Sequence, residues 1–258
     1  MRKAWITIAS LWTWLILGTC VLLWLPILAL LRLLTFFFDP GRYLAGRFFR
    51  QIARVTVTVN PLWRFRCTGR KLENPRRPYV VVSNHESFTD ILLISLLPWE
   101  MKWMSKIELF RIPVMGWDMW LAGDIPLRRG EARSALGALG RSKEVLGDRV
   151  SVMIFPEGTR SKTGDMLPFK DGAFRLAIEA GVPILPLALV GTGTALRKHD
   201  WRFGRANAEV RVLDPVETTG LTLDDVPRLR DRVRQVIEQT RNQMRAAHTA
   251  AGEDVGES

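Results

Sequence analysis

Residues 79–90 have the sequence YVVVSNHESFTD, an apolar run followed at once by polar residues. The run Tyr79–Val82 is typical of a strand buried on both faces. The segment Ile91–Leu97 then predicts a helix, which Pro98 ends. A buried strand that passes through a polar turn into a helix indicates an α/β fold.

The same alternation continues along the chain. Helical patterns occur at Glu131–Leu146 and Gly172–Glu179, between further apolar runs. The other predicted strands are Val55–Val59, Leu62–Cys67, Ala122–Leu127, Ser151–Phe155, Ile184–Val190 and Glu209–Leu213. This order predicts an α/β fold with a mixed, largely parallel sheet that is flanked by helices on both faces.

The C-terminal part predicts a packing helix. Thr222–Asp225 resembles a capping box. Apolar residues then recur at helical spacing, at Val226, Leu229, Val233, Ile237 and Met244. We expect residues 246–258 to form a disordered tail.

A long apolar segment precedes the α/β region. Ala4–Leu31 contains no charged residue, and no clear cleavage site follows it, so we expect an anchor that stays attached to the membrane. As one helix, at ~1.5 Å per residue, it would exceed the ~30 Å hydrocarbon core. Pro26 is expected to break or kink it. A single span and a helical hairpin, with Ala4–Leu25 entering and Ile27–Phe38 returning, both remain open.

The chain is basic, with a formal net charge of +11. Nucleic acid, an anionic membrane surface or an anionic substrate could balance this charge. No nucleic-acid-binding motif is present, whereas ten basic residues crowd the region after the apolar segment. This pattern favours a membrane surface over a merely solvated face. The residues are Arg42, Arg47, Arg50, Arg54, Arg64, Arg66, Arg70, Lys71, Arg76 and Arg77.

Cysteine and histidine are scarce. The two cysteines are Cys20, inside the apolar segment, and Cys67, so a disulfide between them is not expected. With only His85, His199 and His248 and no cysteine cluster, the chain lacks the ligands of a zinc site.

His85 and Asp90 are the first candidate functional pair. Residues five apart differ by ~140° around a helix, so the two share a site only if His85 precedes the helix. With Ser87 as N-cap, Asp90 would lie in the first turn and could reach the imidazole. The carboxylate would then fix the tautomer while the other ring nitrogen accepts a proton. Alternatively, His85 is structural and Asp90 only complements the helix dipole.

A second motif, FPEGTRS at residues 155–161, also follows a predicted strand. Gly158 permits a sharp turn that presents Thr159 and Arg160, whose guanidinium can bind phosphate through two hydrogen bonds. Glu157 could accept a hydrogen bond from a ligand hydroxyl or hold an arginine. The alternative is a polar turn with a surface ion pair. Because ligands collect at the carboxyl ends of strands in open α/β sheets, the two motifs are expected to converge.

His85-x4-Asp90 and residues 155–160 resemble the motifs of the lysophosphatidic acid acyltransferases, in the phospholipid and glycerol acyltransferase superfamily. The resemblance covers about Tyr79–Val190. In the looser match at residues 123–129, Arg129 takes the place of a phosphate-binding arginine. Pro126 and Arg128 depart from the family pattern there, and Arg128 competes for the same role. Lys106 is a further candidate phosphate contact.

One more segment, Val182–Leu187, resembles the apolar motif of the same family. In the family this motif is thought to pack against the acyl chain or the membrane. A core strand bracketed by prolines explains the segment equally well.

The resemblance implies an O-acyltransferase that acylates the free hydroxyl of 1-acyl-glycerol-3-phosphate to give phosphatidic acid. His85 would be the general base and Asp90 its partner, without a covalent acyl-enzyme. The donor would be acyl-CoA or acyl carrier protein, and no cofactor or metal is expected. The residues expected to bind substrate are Lys106, Arg129, Glu157, Gly158, Thr159 and Arg160.

The implied organisation is a membrane anchor at residues 1–40, an acyltransferase domain at 41–245 and a disordered tail at 246–258. We expect the catalytic domain at the cytoplasmic face of the cell membrane, in contact with the membrane lipid acceptor and the anionic membrane surface. No nucleic-acid partner is expected. The alternatives are an acyltransferase for glycerol-3-phosphate or a lyso-aminolipid, a non-catalytic basic membrane adaptor and, from charge alone, a nucleic-acid-binding protein.

Overall fold

The computed structural model describes residues 2–161, 165–197 and 200–250. His199 and residues 251–258 lie outside these ranges. Within them, the strands are β1 (Trp63–Gly69), β2 (Val80–Ser83), β3 (Met101–Lys106), β4 (Ile125–Leu127), β5 (Ser151–Ile154), β6 (Ile184–Val190) and β7 (Ala206–Val212). The α-helices are α1 (Arg2–Leu34), α2 (Tyr43–Phe49), α3 (Gln51–Val59), α4 (Asp90–Ile94), α5 (Met115–Ala122), α6 (Ala132–Gly147), α7 (Gly172–Ala180) and α8 (Val226–Ala250).

The strands form a single sheet in the order β1-β7-β6-β2-β5-β3-β4. Neighbouring strands are parallel except β6 and β7, which are antiparallel. The predicted mixed, largely parallel sheet is therefore confirmed. Because β2, β3, β4, β5 and β6 run in the same direction, the segments that follow them meet at one edge of the sheet.

The central strand β2 shows why the sheet is covered on both faces. Val80 and Val82 pack with Phe174 and Val233, in a core layer that α6, α7 and α8 cover. Val81, between them, lies in the opposite layer with residues of α4, such as Leu93. Alternate side chains of a strand point to opposite faces, so a continuous apolar run buries both of them.

The strand predicted at Val55–Val59 is wrong, because these residues belong to α3. The β-branched residues favour a strand locally. However, Ile52, Ala53 and Thr56 of α3 are buried at helical spacing, and α3 packs against α1 and α4. Tertiary packing therefore overrides the local preference.

Strand β3 was not predicted from the apolar pattern, since buried charges interrupt it. Lys102 is fully buried, and its Nζ lies 3.0 Å from Glu100 Oε1. Arg50, from the end of α2, pairs with Asp124 and lies 3.6 Å from Glu100. Two cations and two carboxylates thus neutralise one another inside the fold, which offsets much of the cost of burying them.

Helix α1 differs from the structure that was predicted for the apolar segment. It runs without a break through Pro26, so the predicted break and the hairpin are wrong. Its 33 residues give a length of about 50 Å. By length and composition α1 could cross a membrane. In its most apolar stretch of 18 residues only 11% is buried inside the protein, so most of that stretch is exposed.

The same helix lies along the α/β region rather than apart from it. It packs against α2, α3 and α5, and its buried residues extend from Ala9 to Leu28. The indoles of Trp12 and Trp24 donate to the carbonyls of Val59 and Phe48. The predicted anchor at residues 1–40 and the predicted domain at 41–245 are therefore separate regions in sequence only. In the structure α1 packs against the rest of the chain.

The C-terminal predictions hold in part. The capping box is confirmed, because the Asp225 carboxylate accepts the Thr222 amide at 2.9 Å. The five apolar residues predicted to face the core are buried. However, α8 continues to Ala250 with His248 buried, so the tail predicted to begin at Ala246 is wrong up to Ala250. The remainder of that tail lies outside the described residues.

Candidate active site

His85 and Asp90 meet where β2 leads into α4. Imidazole Nδ1 lies 2.7 Å from Asp90 Oδ2. The same oxygen accepts the main-chain N–H groups of Glu86 at 2.7 Å and Ser87 at 3.0 Å. Asp90 is fully buried, and the Phe155 ring stacks on the imidazole with the ring centroids 3.9 Å apart. The predicted pairing is confirmed, and it leaves Nε2 as the nitrogen that can accept a proton.

Ser87 has a different role from the predicted N-cap. Helix α4 begins at Asp90 and Thr89 takes the cap position. The Ser87 hydroxyl donates to the carbonyl of Leu196 at 3.0 Å and accepts the Thr89 amide at 3.4 Å. Ser87 therefore ties the turn that carries His85 to the segment after β6.

Glu157 joins the two motifs. One carboxylate oxygen accepts the His85 main-chain N–H at 2.8 Å and the other accepts the Leu167 N–H at 3.0 Å. The residue is only 4% exposed. Burial raises the pKa of Glu157, and the Leu167 and His85 amides oppose that rise. The carboxylate therefore holds two main-chain segments together, whereas its predicted contact with substrate stays a prediction.

The predicted cations lie on the β3–β4 side of this turn. Lys106 ends β3, Arg129 follows β4, and Arg160 follows the Glu157 turn; all three are exposed. Lys106 Nζ lies 3.3 Å from Glu108 Oε1. Desolvation lowers the pKa of Arg129, with the charge of Glu108 opposing and that of Arg160 adding to the effect. The fold thus brings these cations into one electrostatic neighbourhood.

The two competing arginines differ in their ionic contacts, although both line one cavity of about 270 Å³. Arg128 is exposed and pairs with Glu131 at 3.1 Å, an arrangement typical of a surface ion pair. Arg129 instead lies within the field of Arg160. Two neighbouring guanidinium groups repel each other until an anion lies between them.

A cavity of about 270 Å³ adjoins this group of cations. Arg129, Gly158, Lys170 and Phe155 are among its lining residues. Phe155 also stacks on His85, so its ring connects the cavity with the imidazole. His85 itself does not line the cavity. Thr159, beside it in sequence, is exposed.

Lys170 is a candidate that the motifs did not indicate. Gly158 adopts a φ of 72°, and a Cβ at this position would lie 2.9 Å from Lys170 Nζ. The glycine therefore both makes the turn and leaves room for the ammonium group. Lys170 lies nine residues after the end of the motif in sequence and has no pattern of its own, so only the fold reveals it.

A second, apolar cavity of about 330 Å³ has Trp103, a neighbour of Phe155, among its lining residues. Helices α1, α3, α4 and α5 contribute to its wall, and the Arg50–Asp124 pair also lines it. Two residues connect this cavity to the His85 region. Phe88 belongs to residues 84–89, the turn between β2 and α4 that carries His85 and is called the motif turn. Trp103 has its ring 5.9 Å from that of Phe155. Further lining residues are Trp14, Leu17, Val21, Ile52, Ile91, Leu92, Met115 and Met119.

The C-terminal helix α8 contacts the motif turn through Glu86, and the sequence patterns did not predict this contact. Arg241 of α8 donates to Glu86 Oε1 at 3.1 Å, and Arg245 lies 3.7 Å from the same oxygen. The side chains of Glu86 and Arg241 are 8% and 5% exposed. Helix α8 lies beyond the region of the family resemblance, and no local pattern marks Arg241.

Val182–Leu187 mostly belongs to β6, which is buried between β2 and β7. The core-strand interpretation of this segment is therefore the one that the structure supports. For metal binding, the described ranges contain no group of three or more His, Cys, Asp or Glu side chains placed to hold an ion.

We expect Glu157→Gln to destabilise the protein by about 1–3 kcal/mol, because the amide NH₂ would face a main-chain N–H and leave one donor unpaired. Chemical denaturation in detergent measures the change. Glu144→Gln is the matched control, since Glu144 makes only an exposed pair with Arg141 and its loss should cost less than about 0.5 kcal/mol. Equal stability of Glu157→Gln and wild type would contradict the bridging role.

Comparison with known proteins agrees with this geometry. The family model described as Acyltransferase matches residues 64–190. Human 1-acyl-sn-glycerol-3-phosphate acyltransferase alpha is 44% identical over 162 residues, which are 62% of this chain and 57% of that protein. The Saccharomyces cerevisiae 1-acyl-sn-glycerol-3-phosphate acyltransferase is 34% identical over 169 residues, covering 64% and 56% of the two chains. The chain thus matches little more than half the length of these relatives.

The fold also matches a solved structure. The crystal structure of the 1-acyl-sn-glycerophosphate acyltransferase PlsC from Thermotoga maritima superposes with a TM-score of 0.79 at 26% identity, covering 95% of this chain and 98% of that one. The matched region contains both motifs and the cations of the β3–β4 side. Residues 64–190 therefore form a domain of the acyltransferase family, and the chain is a relative of the 1-acyl-sn-glycerol-3-phosphate acyltransferases.

Proposed function

We propose that this protein transfers an acyl group to the free hydroxyl of 1-acyl-glycerol-3-phosphate and produces phosphatidic acid. The observation that carries the proposal is the 2.7 Å contact between His85 Nδ1 and Asp90 Oδ2, with neighbouring Phe88 lining an apolar cavity and Phe155, stacked on His85, lining a cavity beside the cations. The names of the relatives support the same activity.

His85 is the proposed general base. With Nδ1–H held by Asp90, Nε2 takes the proton of the acceptor hydroxyl as its oxygen attacks the carbonyl carbon of the acyl thioester. The new C–O bond forms, the C–S bond of the tetrahedral intermediate breaks, and the imidazolium returns its proton to the leaving thiolate. Asp90 stabilises the positive charge that the ring carries between these two transfers.

Direct transfer suits the surroundings of His85 better than a covalent acyl-enzyme. Two hydroxyls are equally near in sequence, Ser83 and Ser87; both are buried, and Ser87 donates to the Leu196 carbonyl. We therefore assign Ser87 to positioning. The acyl donor is acyl-CoA or acyl carrier protein, and the scheme requires no resident cofactor or metal.

The acceptor phosphate would bind among Lys106, Arg129, Arg160 and Lys170, beside the Gly158–Thr159 turn. In the free protein these positive charges repel one another, and a bound phosphate dianion would relieve that repulsion. The apolar cavity beside Trp103 offers a place for an acyl chain. The phosphate-bearing acceptor and the acyl chain of the donor are the two groups that the reaction must bring together at His85.

We further propose that α1 lies along the cytoplasmic surface of the cell membrane rather than across it. Both halves of the helix pack against the rest of the chain. Its outer face carries exposed apolar residues over most of its length and continues into Phe36, Phe37 and Phe38. Basic residues that follow, such as Arg47 and Arg54, suit an anionic membrane surface.

We expect His85→Ala to lower kcat about 10²- to 10⁴-fold, because the hydroxyl loses its general base. The measurement is transfer from labelled acyl donors to a panel of 1-acyl-glycerol-3-phosphate, glycerol-3-phosphate and lyso-aminolipids, using purified protein. Wild type should prefer the first acceptor. Equal turnover by the variant would remove His85 as the base, and an inactive wild type with every donor would favour the adaptor alternative.

Arg129→Ala should raise the KM for 1-acyl-glycerol-3-phosphate by about tenfold or more, since a charge-assisted hydrogen bond to phosphate is lost. Arg128→Ala is the matched control, because the neighbouring arginine pairs with Glu131 and should leave KM unchanged. Steady-state kinetics at several acceptor concentrations measures both variants. The reverse result would transfer the phosphate contact to Arg128.

Replacing the exposed residues Leu22 and Leu23 by Gln should weaken binding to vesicles of phosphatidylcholine and phosphatidylglycerol, because less apolar surface enters the interface. Vesicle flotation measures the bound fraction. Leu136→Gln is the control, because the Leu136 side chain is also largely exposed but lies on α6.

Tags placed at residue 2 and after α8 test the topology of α1. Both should be labelled from the cytoplasm, whereas labelling of residue 2 only from outside would show that α1 crosses the membrane.

A further inference from the structure

A second group of cations lies on the other side of the motif turn, around a cavity of about 310 Å³. Lys3 of α1 and Arg197, Arg202 and Arg205 of the segment between β6 and β7 line it, with Asp200 as the only carboxylate among the lining residues. Asp200 pairs with Arg202 at 3.2 Å. Within the described residues no carboxylate pairs with Lys3, Arg197 or Arg205, so the cavity keeps an excess of positive charge.

Residues 201–204 of this segment are held by contacts with α1 and with Thr194. The Phe203 amide donates to Ser10 Oγ at 2.8 Å, and Trp14 Nε1 donates to the Trp201 carbonyl at 2.8 Å. Gly204 approaches so closely that a Cβ there would lie 2.3 Å from the Thr194 carbonyl oxygen. The backbone beside Arg202 and Arg205 is therefore preorganised, which lowers the entropy cost of binding an anion there.

The cavity is connected to the catalytic turn. Ser87 Oγ donates to the Leu196 carbonyl at 3.0 Å, and Thr89 Oγ1 donates to the Thr192 carbonyl at 3.4 Å. In the sheet, β6 and β7 lie on one side of β2, whereas β5, β3 and β4 lie on the other. The two cationic sites therefore flank the turn that carries His85.

This arrangement matches a reaction with two phosphate-bearing substrates. If the site beside Arg129 holds the acceptor phosphate, the donor must reach His85 from another direction. We propose that the cavity lined by Lys3, Arg197, Arg202 and Arg205 binds the nucleotide phosphates of acyl-CoA; the assignment of a donor rests on the proposed function. A concave cavity lined by four cations and one carboxylate suits a compact group of phosphates, whereas a carrier protein would require an extended surface.

The test is direct binding of coenzyme A to the full-length protein in detergent by isothermal titration calorimetry. Arg197→Ala and Arg205→Ala should each raise the Kd about tenfold, and the double variant more, with a stronger salt dependence for wild type. Arg232→Ala is the matched control: Arg232 is exposed on α8, far along the chain from the cavity, and its removal lowers the net charge by the same amount. Circular dichroism checks that each variant is folded.

Kinetics and vesicle binding separate this source of phosphate from a lipid headgroup. We expect the double variant to show a higher KM for oleoyl-CoA and an unchanged KM for 1-acyl-glycerol-3-phosphate. An unchanged coenzyme A affinity in the double variant, or no binding by wild type, would overturn the proposal. If the double variant bound phosphatidylglycerol vesicles more weakly in flotation but kept its affinity for coenzyme A, the proposal would also be overturned. The cavity would then be assigned to a lipid headgroup. Loss of coenzyme A binding in the double variant would support the cavity assignment even if wild type acylated none of the acceptors.

Discussion

The buried carboxylate of Asp90 is the constraint on which the candidate site depends. One of its oxygens accepts hydrogen bonds from the His85 imidazole and from the amides of Glu86 and Ser87. A carboxylate removed from water is costly unless donors replace the lost solvent. These three donors to Oδ2 offset part of that cost, while Oδ1 has no hydrogen-bond partner among the described residues. All three reach Oδ2 only when the turn has one conformation, so the same contacts fix the orientation of the imidazole.

Other parts of the fold hold that turn from several directions. Glu157 connects it to the segment after β5, Ser87 connects it to the segment after β6, and Arg241 pairs with Glu86 from α8. Each contact joins residues far apart in sequence, and each involves a buried polar group. Removing one partner leaves the other unsatisfied in a low-dielectric interior, so such contacts favour a single arrangement.

The surroundings of the turn differ sharply in polarity. Exposed cations lie on the β3–β4 side, an apolar cavity lies beside Trp103, and a second cationic cavity lies beside the β6–β7 segment. Helix α1 contributes to two of these three places, through Trp14 and Lys3. The segment that looks like a detachable anchor in the sequence is thus part of the wall of the candidate site.

The sequence by itself determined the strands of the sheet centre, the His85–Asp90 pairing and the Gly158 turn, because each follows from short-range patterns: apolar runs, residue spacing and glycine conformational freedom. Only the tertiary structure decided that Val55–Val59 is helical, that Glu157 binds main-chain amides, that Lys170 and Arg241 belong to the site, and that α1 lies along the domain. These outcomes depend on long-range contacts and on which polar groups become buried together, and no local pattern encodes that information.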